Sequence, residues 1–329
     1  MMQSIGMLVW VAHRKTIPGF CALAGRSFHS AAPVSLNRIF VEKTEIPEFD
    51  CADRTQNVTF SSHDDRFQHM HSILKVQEGD VVKMGVLDVG VTDRAIVTAK
   101  TDDSVTINMH RAADLTTTLR PSIDLILAFP RPARVAWLFP VIATLGVGRL
   151  DLIRAAKTEK GYMASHYYKS MNDKLRQLLC LGLSQAAVDC WMPRCVLHPS
   201  HDLEEFFSQL DALYPPGDVL RVLAHPLKAD QMDSSSEAVA VAPSVPFHRV
   251  QLPASWALEK QRGEPLSGKR IVLAVGPDGG WSEDEVRALT SRGFVKVHML
   301  GERVLRTDIA VPALLALANE WCSRHVHEH

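Results

Sequence analysis

Arg270-Ile-Val-Leu-Ala-Val-Gly-Pro-Asp-Gly-Gly-Trp-Ser-Glu-Asp-Glu285 carries three consecutive structural signals. The unbroken apolar run Ile271 to Val275 suits a strand buried on both faces, as the inner strands of parallel sheets are. Gly276 to Gly280 then forces a turn. Ser282-Glu-Asp-Glu285 is a capping box, in which the serine oxygen and the glutamate carboxylate satisfy each other's orphan amides and open a helix to about Ser291. Strand, glycine turn and capped helix in that order are the unit of an α/β domain.

The same rhythm extends in both directions. Upstream, Ile123 to Phe129, Leu150 to Ala155 and Val219 to Ala224 read as further strands. Val135 to Leu145, Asn172 to Val188 and Asp202 to Leu213 read as helices between them. Downstream, Val295 to Leu300 is a strand, and Ile309 to Cys322 a last helix with Pro312 in its first turn. Alternating elements of this kind predict an α/β fold with a mainly parallel sheet over 119–329. Lys228 to Pro246, rich in Ser, Ala, Val and Pro, has no period and is expected to be a flexible insertion (228–246).

Residues 38–118 follow a different pattern of short strands and turns, including Arg38 to Glu42, Val81 to Val86, Arg94 to Ala99 and Ser104 to Met109, with a short helix at Asp65 to Leu74. They predict a small, mostly-β unit resembling a barrel. Residues 1–37 stand apart. No Asp or Glu precedes Glu42, while Arg14, Lys15, Arg26 and Arg38 lie among Ser, Ala and apolar residues, as in a mitochondrial targeting presequence. A secretory signal fits less well, because the apolar run Ile5 to Ala12 is short and its charges follow it; without targeting, the chain would be cytoplasmic.

The 329 residues carry a net charge of −1, so a nucleic-acid partner would need a local basic surface. One is present: Arg120 to Arg176 holds ten Lys and Arg against four Asp and Glu. Arg131, Arg134, Lys157 and Lys160 are candidate RNA contacts, and Tyr162, His166, Tyr167 and Tyr168 could stack on unpaired bases. A solvated helix face with core aromatics is the competing reading. The six cysteines form no C-x-x-C pair, and the clusters His63/His69/His71 and His325/His327/His329 lack a Cys or carboxylate at ligand spacing, so no metal is expected. No apolar stretch is long enough to span a membrane.

Three loops at strand ends carry the candidate chemistry: Leu223-Ala-His225-Pro226, Gly276 to Gly280, and Leu300-Gly-Glu-Arg-Val-Leu-Arg-Thr-Asp308. Ligands of open α/β sheets collect beyond the carboxyl ends of strands, so adjacent loops would frame one pocket. Neither a G-x-G-x-x-G fingerprint nor a G-x-x-x-x-G-K-[ST] loop occurs, which argues against a dinucleotide or a nucleoside triphosphate.

The segments Gly276-Pro-Asp-Gly-Gly-Trp-Ser282 and Leu300 to Asp308, with Glu285 and Gly293-Phe294 between them, resemble the two signature loops of the ribosomal RNA small subunit methyltransferase E family, within the SPOUT superfamily. Arg38-Ile-Phe40, Gly79-Asp80 and Leu145-Gly-Val147 match weaker positions, so the resemblance spans nearly everything after residue 37. It implies a PUA-like RNA-binding domain followed by a methyltransferase domain threaded as a trefoil knot. It also implies a homodimer, S-adenosylmethionine as cofactor, and methylation of uridine N3 in small-subunit ribosomal RNA. Carried over, Leu223, His225 and Pro226 would line one wall of the cofactor site. Gly276, Gly279 and Gly280 would form the second, and Met299, Leu300, Gly301, Val304 and Leu305 the third. Arg306 would stabilise charge on a uracil oxygen or orient the base, unless it serves only in an ion pair with Asp308 or Asp278. Asp308 would accept the N3 proton or position Arg306. The chain departs from the family at Asp278 and Asp308, where glutamate is common, at Thr144, and after Gln185, where an arginine is usual. The same fold could instead methylate another RNA, or serve as a non-catalytic assembly factor that binds ribosomal RNA.

Overall fold

The computed structural model describes residues 37–46, 49, 55–165, 168, 171–200, 203–226, 244–299, 301 and 303–326. The expected presequence, apart from residue 37, and residues 228–243 of the expected insertion lie outside them. The N-terminal half contains β1 (Ile39–Val41), β2 (Thr55–Ser61), β3 (Val81–Val86), β4 (Gly90–Lys100) and β5 (Ser104–Arg111). These form one sheet in the order β1-β3-β4-β5-β2, antiparallel except for β1 with β3. Its own core gathers Val58, Phe60, Met84, Ile107 and Met109. The α1 helix (Asp65–Gln68) covers this core with Phe67 and widens into a π-helical turn, His69–Leu74, where the chain had predicted one regular helix. β2 gives little sequence signal because only Val58 and Phe60 are apolar. Burial nevertheless alternates strictly along it, with Gln56 as the third inward side chain.

The larger half alternates β6 (Ile123–Ala128), α2 (Pro132–Thr144), β7 (Val147–Ile153), α3 (Met171–Ala186), β8 (Arg194–His198), α4 (Leu203–Leu213) and β9 (Val219–Ala224). It continues with β10 (Val245–Pro246), α5 (Ala254–Gln261), β11 (Arg270–Val275), α6 (Glu283–Ser291), β12 (Val295–His298) and α7 (Thr307–His325). All seven strands pair in parallel, in the order β10-β12-β9-β11-β6-β7-β8. The sheet is buried on both faces, so successive residues of one strand enter different cores. Leu125, Leu127, Val222 and Leu273 pack with α2, α3 and α7, whereas Ile126, Leu223, Val272 and Ala274 pack with α4 and α6. This two-sided burial explains the continuous apolar runs in the sequence.

Two expectations are corrected. The last helix starts at Thr307, not Ile309, with Arg306 as its N-cap residue, so Pro312 falls in the second turn. Val245 and Pro246, assigned to the insertion, form the edge strand β10, in register with Val297 and His298.

Arg38 ties the two halves, which lie within one compact unit. The side chain is 3% exposed, and its guanidinium donates to the Met84 and Thr92 carbonyls at 2.8 and 3.0 Å, to Asp93 Oδ1 at 2.8 Å and to the Ala187 carbonyl at 2.9 Å. Its backbone N–H donates to the Ser184 carbonyl and its carbonyl accepts from Ser184 Oγ. Arg38→Ala would strand buried carbonyls on both sides of this junction. The expected loss is ~3 kcal/mol, the range for removing one partner of a buried charged hydrogen-bond set, read as a lower midpoint in equilibrium denaturant unfolding. An unchanged midpoint would show that the tie carries no stability.

Candidate active site

β12, β9 and β11 are neighbours, so the three loops after their carboxyl ends meet as the sequence predicts. They frame a cleft lined by His225 and Pro226, by Gly276 to Trp281, and by Met299, Val304 and Leu305, with Thr307 and Ala310 of α7 at its floor. The first loop is pinned where the His225 N–H donates to the Val297 carbonyl at 2.9 Å. The second is a tight turn closed by Gly280 N–H to the Pro277 carbonyl at 2.8 Å. The third is tied to the second by Thr307, whose Oγ1 donates to the Gly276 carbonyl at 2.9 Å and whose N–H donates to Asp278 Oδ1 at 3.2 Å. Asp278 thus satisfies an orphan amide at the start of α7, a capping contact between residues distant in sequence.

Glu285 is 6% exposed and accepts from the Ser282 and Ala156 N–H groups, both at 2.7 Å. The capping box therefore also fastens the loop after β7 behind the glycine turn. Lys157, in that loop, lies under Gly279: a Cβ at Gly279 would stand 3.3 Å from Lys157 Cβ. Its Nζ donates to the Trp281 carbonyl at 3.2 Å.

The cleft suits a small ligand with acceptor atoms. Gly280 has φ +70°, a backbone state that only glycine adopts without strain, and a Cβ there would meet nothing within 4 Å. Trp281 is 4% exposed, lines the cleft, and has no hydrogen-bond partner for its buried Nε1 among the described residues. An unpaired buried donor costs ~1–3 kcal/mol, which a ligand acceptor would recover. Met299, Val304 and Leu305 supply an apolar wall. Burial, helped by neighbouring His248, holds the His298 imidazole below its usual pKa, and His298 Nδ1 lies 3.1 Å from Ser244 Oγ. The enclosed volume of about 180 Å³ is below the usual ~300–1,000 Å³ of small-molecule sites, so part of a nucleoside-sized ligand would stand at the open mouth beside Arg303.

Beside this cleft the first turns of α2 and α7 bring three charged side chains together. Asp308, 8% exposed in its side chain, receives Arg306 Nη2 at 3.1 Å and Arg134 Nε at 3.3 Å on the same Oδ2. Arg306 remains 60% exposed, so its ion pair leaves most of the guanidinium open. The pair formed is with Asp308, while Asp278 is engaged by α7. Arg131, the N-cap residue of α2, is exposed and reaches Tyr162 Oη at 3.5 Å.

The remaining expected residues are placed as follows. Leu223 does not line the cleft: it points to the α4 and α6 face, and Ala224 lines the wall in its place. Gly301 has φ +64° and is exposed, while Leu300 lies outside the described residues. Lys160 is exposed. Tyr168 is not a stacking platform, because it is 7% exposed, meets Phe129 edge-on and donates to the Pro130 carbonyl at 2.6 Å. His166 and Tyr167 lie outside the described residues. His71 stacks on Phe67, and among the described residues no three His, Cys, Asp or Glu side chains converge as a metal site. No helix there is long and apolar enough to cross a membrane. Trp281, Thr307 and Asp278 had no assigned role in the cofactor pocket. A tryptophan directly after two turn glycines was the available signal.

Residues 118–319 match the family model for the RNA methyltransferase domain, which makes the chain an RNA methyltransferase by class. It is 24% identical over 265 residues to the ribosomal RNA small subunit methyltransferase E of Treponema pallidum, covering 79% of this chain and 86% of that protein. A Synechocystis protein of the same name is 39% identical over 71 residues, 22% of each chain. The crystal structure of the Neisseria gonorrhoeae ribosomal RNA small subunit methyltransferase E, bound to S-adenosyl methionine, shares the fold with a TM-score of 0.57 at 16% identity, covering 87% of this chain and 97% of that one. The chain belongs to the family of that RNA methyltransferase domain and shares the fold of a ribosomal RNA small subunit methyltransferase E.

Proposed function

We propose that this protein transfers a methyl group from S-adenosylmethionine to N3 of a uridine in small-subunit ribosomal RNA. The observation that carries the reading is the open Arg306 guanidinium, held by Asp308 beside a glycine-lined cleft. When bound, the cofactor supplies an electrophilic methyl group on a sulfonium. Backbone groups of Gly276, Gly279 and Gly280, the Trp281 indole N–H, and the wall of Met299, Val304 and Leu305 would hold it, with His225, Pro226 and Gly301 at the rims. N3 of uracil carries a proton at neutral pH, so the base becomes nucleophilic only as that proton leaves and negative charge spreads to its carbonyl oxygens. Arg306 presents a rigid donor fork to one of those oxygens, where charge develops. Asp308, shared between Arg134 and Arg306, holds both forks at the mouth. Arg131 and Arg134 then meet the phosphates next to the target nucleotide.

The wider reading keeps residues 38–118 as a PUA-like RNA-binding domain, 119–329 as a knotted SPOUT domain, and 1–37 as a mitochondrial presequence. Trp137 (48% exposed) on α2 and Ile309 (45%) on α7 favour a homodimer, since large apolar side chains on neighbouring helices gain from a second copy. Calorimetric titration of residues 38–329 with S-adenosylmethionine, then mapping of methylated uridines in small-subunit ribosomal RNA, tests the proposal. One cofactor per chain and N3-methyluridine at a single position are expected. Methylation at another atom or in another RNA would move the reading to a different SPOUT specificity, and absence of cofactor binding to a non-catalytic assembly factor.

A further inference from the structure

The basic residues counted between Arg120 and Arg176 do not form one surface. Arg134, paired with Asp308, and Lys157, against Gly279, lie beside the glycine-lined cleft, but Arg120, Arg149 and Arg176 line a separate groove at the opposite ends of the strands, beside Ser122, Asp124 and Arg270. Six-residue strands put the two openings roughly 20 Å apart, at ~3.3 Å per residue. The groove measures about 1470 Å³ and is bordered by Asp88 of the N-terminal half. Its lining holds seven Lys and Arg against three Asp and Glu.

Most of these charges are committed. Arg149 pairs with Asp151, Arg270 with Asp124, Lys269 with Asp218 and Glu259, and Arg176 with Glu42. Arg120 and Arg194 have no acidic partner among the described residues. Arg120 instead lies over the Trp191 indole, 3.9 Å from the ring centroid. The ring is held by its Nε1, which donates to the Thr118 carbonyl at 3.1 Å, and its main chain by the Trp191 N–H, which donates to Asp189 Oδ1 at 3.0 Å. The next residue is held too, because the Met192 N–H donates to Asp88 Oδ1 at 3.0 Å. The result is a rigid Arg–Trp platform with a second free arginine, Arg194, three residues along.

We infer that this groove binds a single-stranded segment of the RNA substrate, remote from the methylated nucleotide. Arg120 and Arg194 contact phosphates and the Arg120–Trp191 stack supports a base, the combination that sequence-tolerant single-strand sites use. The groove adjoins the N-terminal half, so an RNA spanning both openings runs along the β6–β7 side of the sheet. The inference rests on the RNA methyltransferase reading and adds a second anchoring point to it.

The test compares the full chain with Arg120→Glu/Arg194→Glu and with Trp191→Leu. Anisotropy of a fluorescein-labelled oligouridylate is measured against salt, with poly-glutamate as a competing anion and S-adenosylmethionine titration and thermal unfolding as controls. The charge reversal should weaken RNA binding about tenfold and flatten the salt slope by about 1.4, or ~0.7 for each phosphate contact of a single strand. Trp191→Leu should weaken RNA several-fold and leave the salt slope in place. Cofactor affinity should stay within two-fold in both. Unchanged RNA affinity in the folded charge-reversed protein overturns the inference. So does poly-glutamate displacing the RNA at equal charge concentration with the same dependence on Trp191, which would assign the groove to an acidic protein segment. Failure of the parent proposal has a different signature: RNA binding that still depends on Arg120 and Arg194, with no methyl transfer to ribosomal RNA.

Discussion

Gly280→Val is expected to abolish measurable binding of S-adenosylmethionine while leaving a folded protein. Two consequences of the substitution must be separated. The first is backbone strain: at φ +70° a β-branched residue costs ~1–2 kcal/mol, because its Cβ crowds the following carbonyl. The second is occlusion. A Cβ at this position meets no protein atom within 4 Å, so the valine methyls enter the space in front of the turn, where the ligand must approach the backbone. Only occlusion acts on the cofactor specifically. Gly293→Val supplies the matched control, since Gly293 has φ +81°, also faces open space, and lies at the turn between α6 and β12. Calorimetry should show at least a hundredfold loss of affinity for Gly280→Val, equivalent to ~2.7 kcal/mol, and less than threefold for Gly293→Val. Both should lower the unfolding midpoint comparably. Normal affinity in Gly280→Val would place the cofactor elsewhere.

The parts of this site that were legible in the sequence are those whose physics is local. Gly276 to Gly280 follows an apolar run that suits an inner parallel strand, and the Ser282–Glu285 box announces the helix after it. Parallel strands of one α/β sheet end on the same edge, so loops gathered at one edge could be anticipated, whereas the insertion of β9 between β11 and β12 could not. The side-chain facing of β9 could not. Every residue from Val219 to Leu223 is buried, and a strand with two covered faces gives no polar alternation to show that Leu223 points away from the loops. Tyr168 misled for the opposite reason: charged neighbours suggested a surface, whereas its hydroxyl is satisfied inside by Pro130. The start of α7 was missed because its cap is supplied from another loop, through Asp278 to the Thr307 N–H. The sharing of Asp308 between Arg306 and Arg134 joins helices 174 residues apart, and no window of sequence contains it.

That shared carboxylate shapes the second large effect. Arg306→Ala should lower kcat by ~10²–10³, the usual cost of removing one donor aimed at developing negative charge, or about 2.7–4 kcal/mol. Affinity for S-adenosylmethionine should stay within threefold, because Arg306 does not line the cleft. The fold should also persist: the Arg306 side chain makes no capping bond, its carbonyl still accepts from the Ala310 N–H at 2.8 Å, and Asp308 keeps Arg134. Lysine should restore little, since an ammonium is a point charge and cannot reproduce the planar fork. Asp308→Asn then separates the two roles open to that residue. If Asp308 takes the N3 proton, the variant should become progressively faster as pH rises and solvent removes the proton in its place. If Asp308 only positions the two arginines, the pH profile should keep its wild-type shape at a lower level, with KM for RNA raised because both guanidiniums are loosened. The geometry favours the positioning outcome: one oxygen, Oδ2, already receives two guanidinium contacts inside hydrogen-bonding or ion-pair range, and a side chain 8% exposed has little freedom to turn away from them. A wild-type kcat in Arg306→Ala would remove this arginine from the mechanism and leave charge stabilisation to another arginine beside the cleft, Arg134 or Arg303.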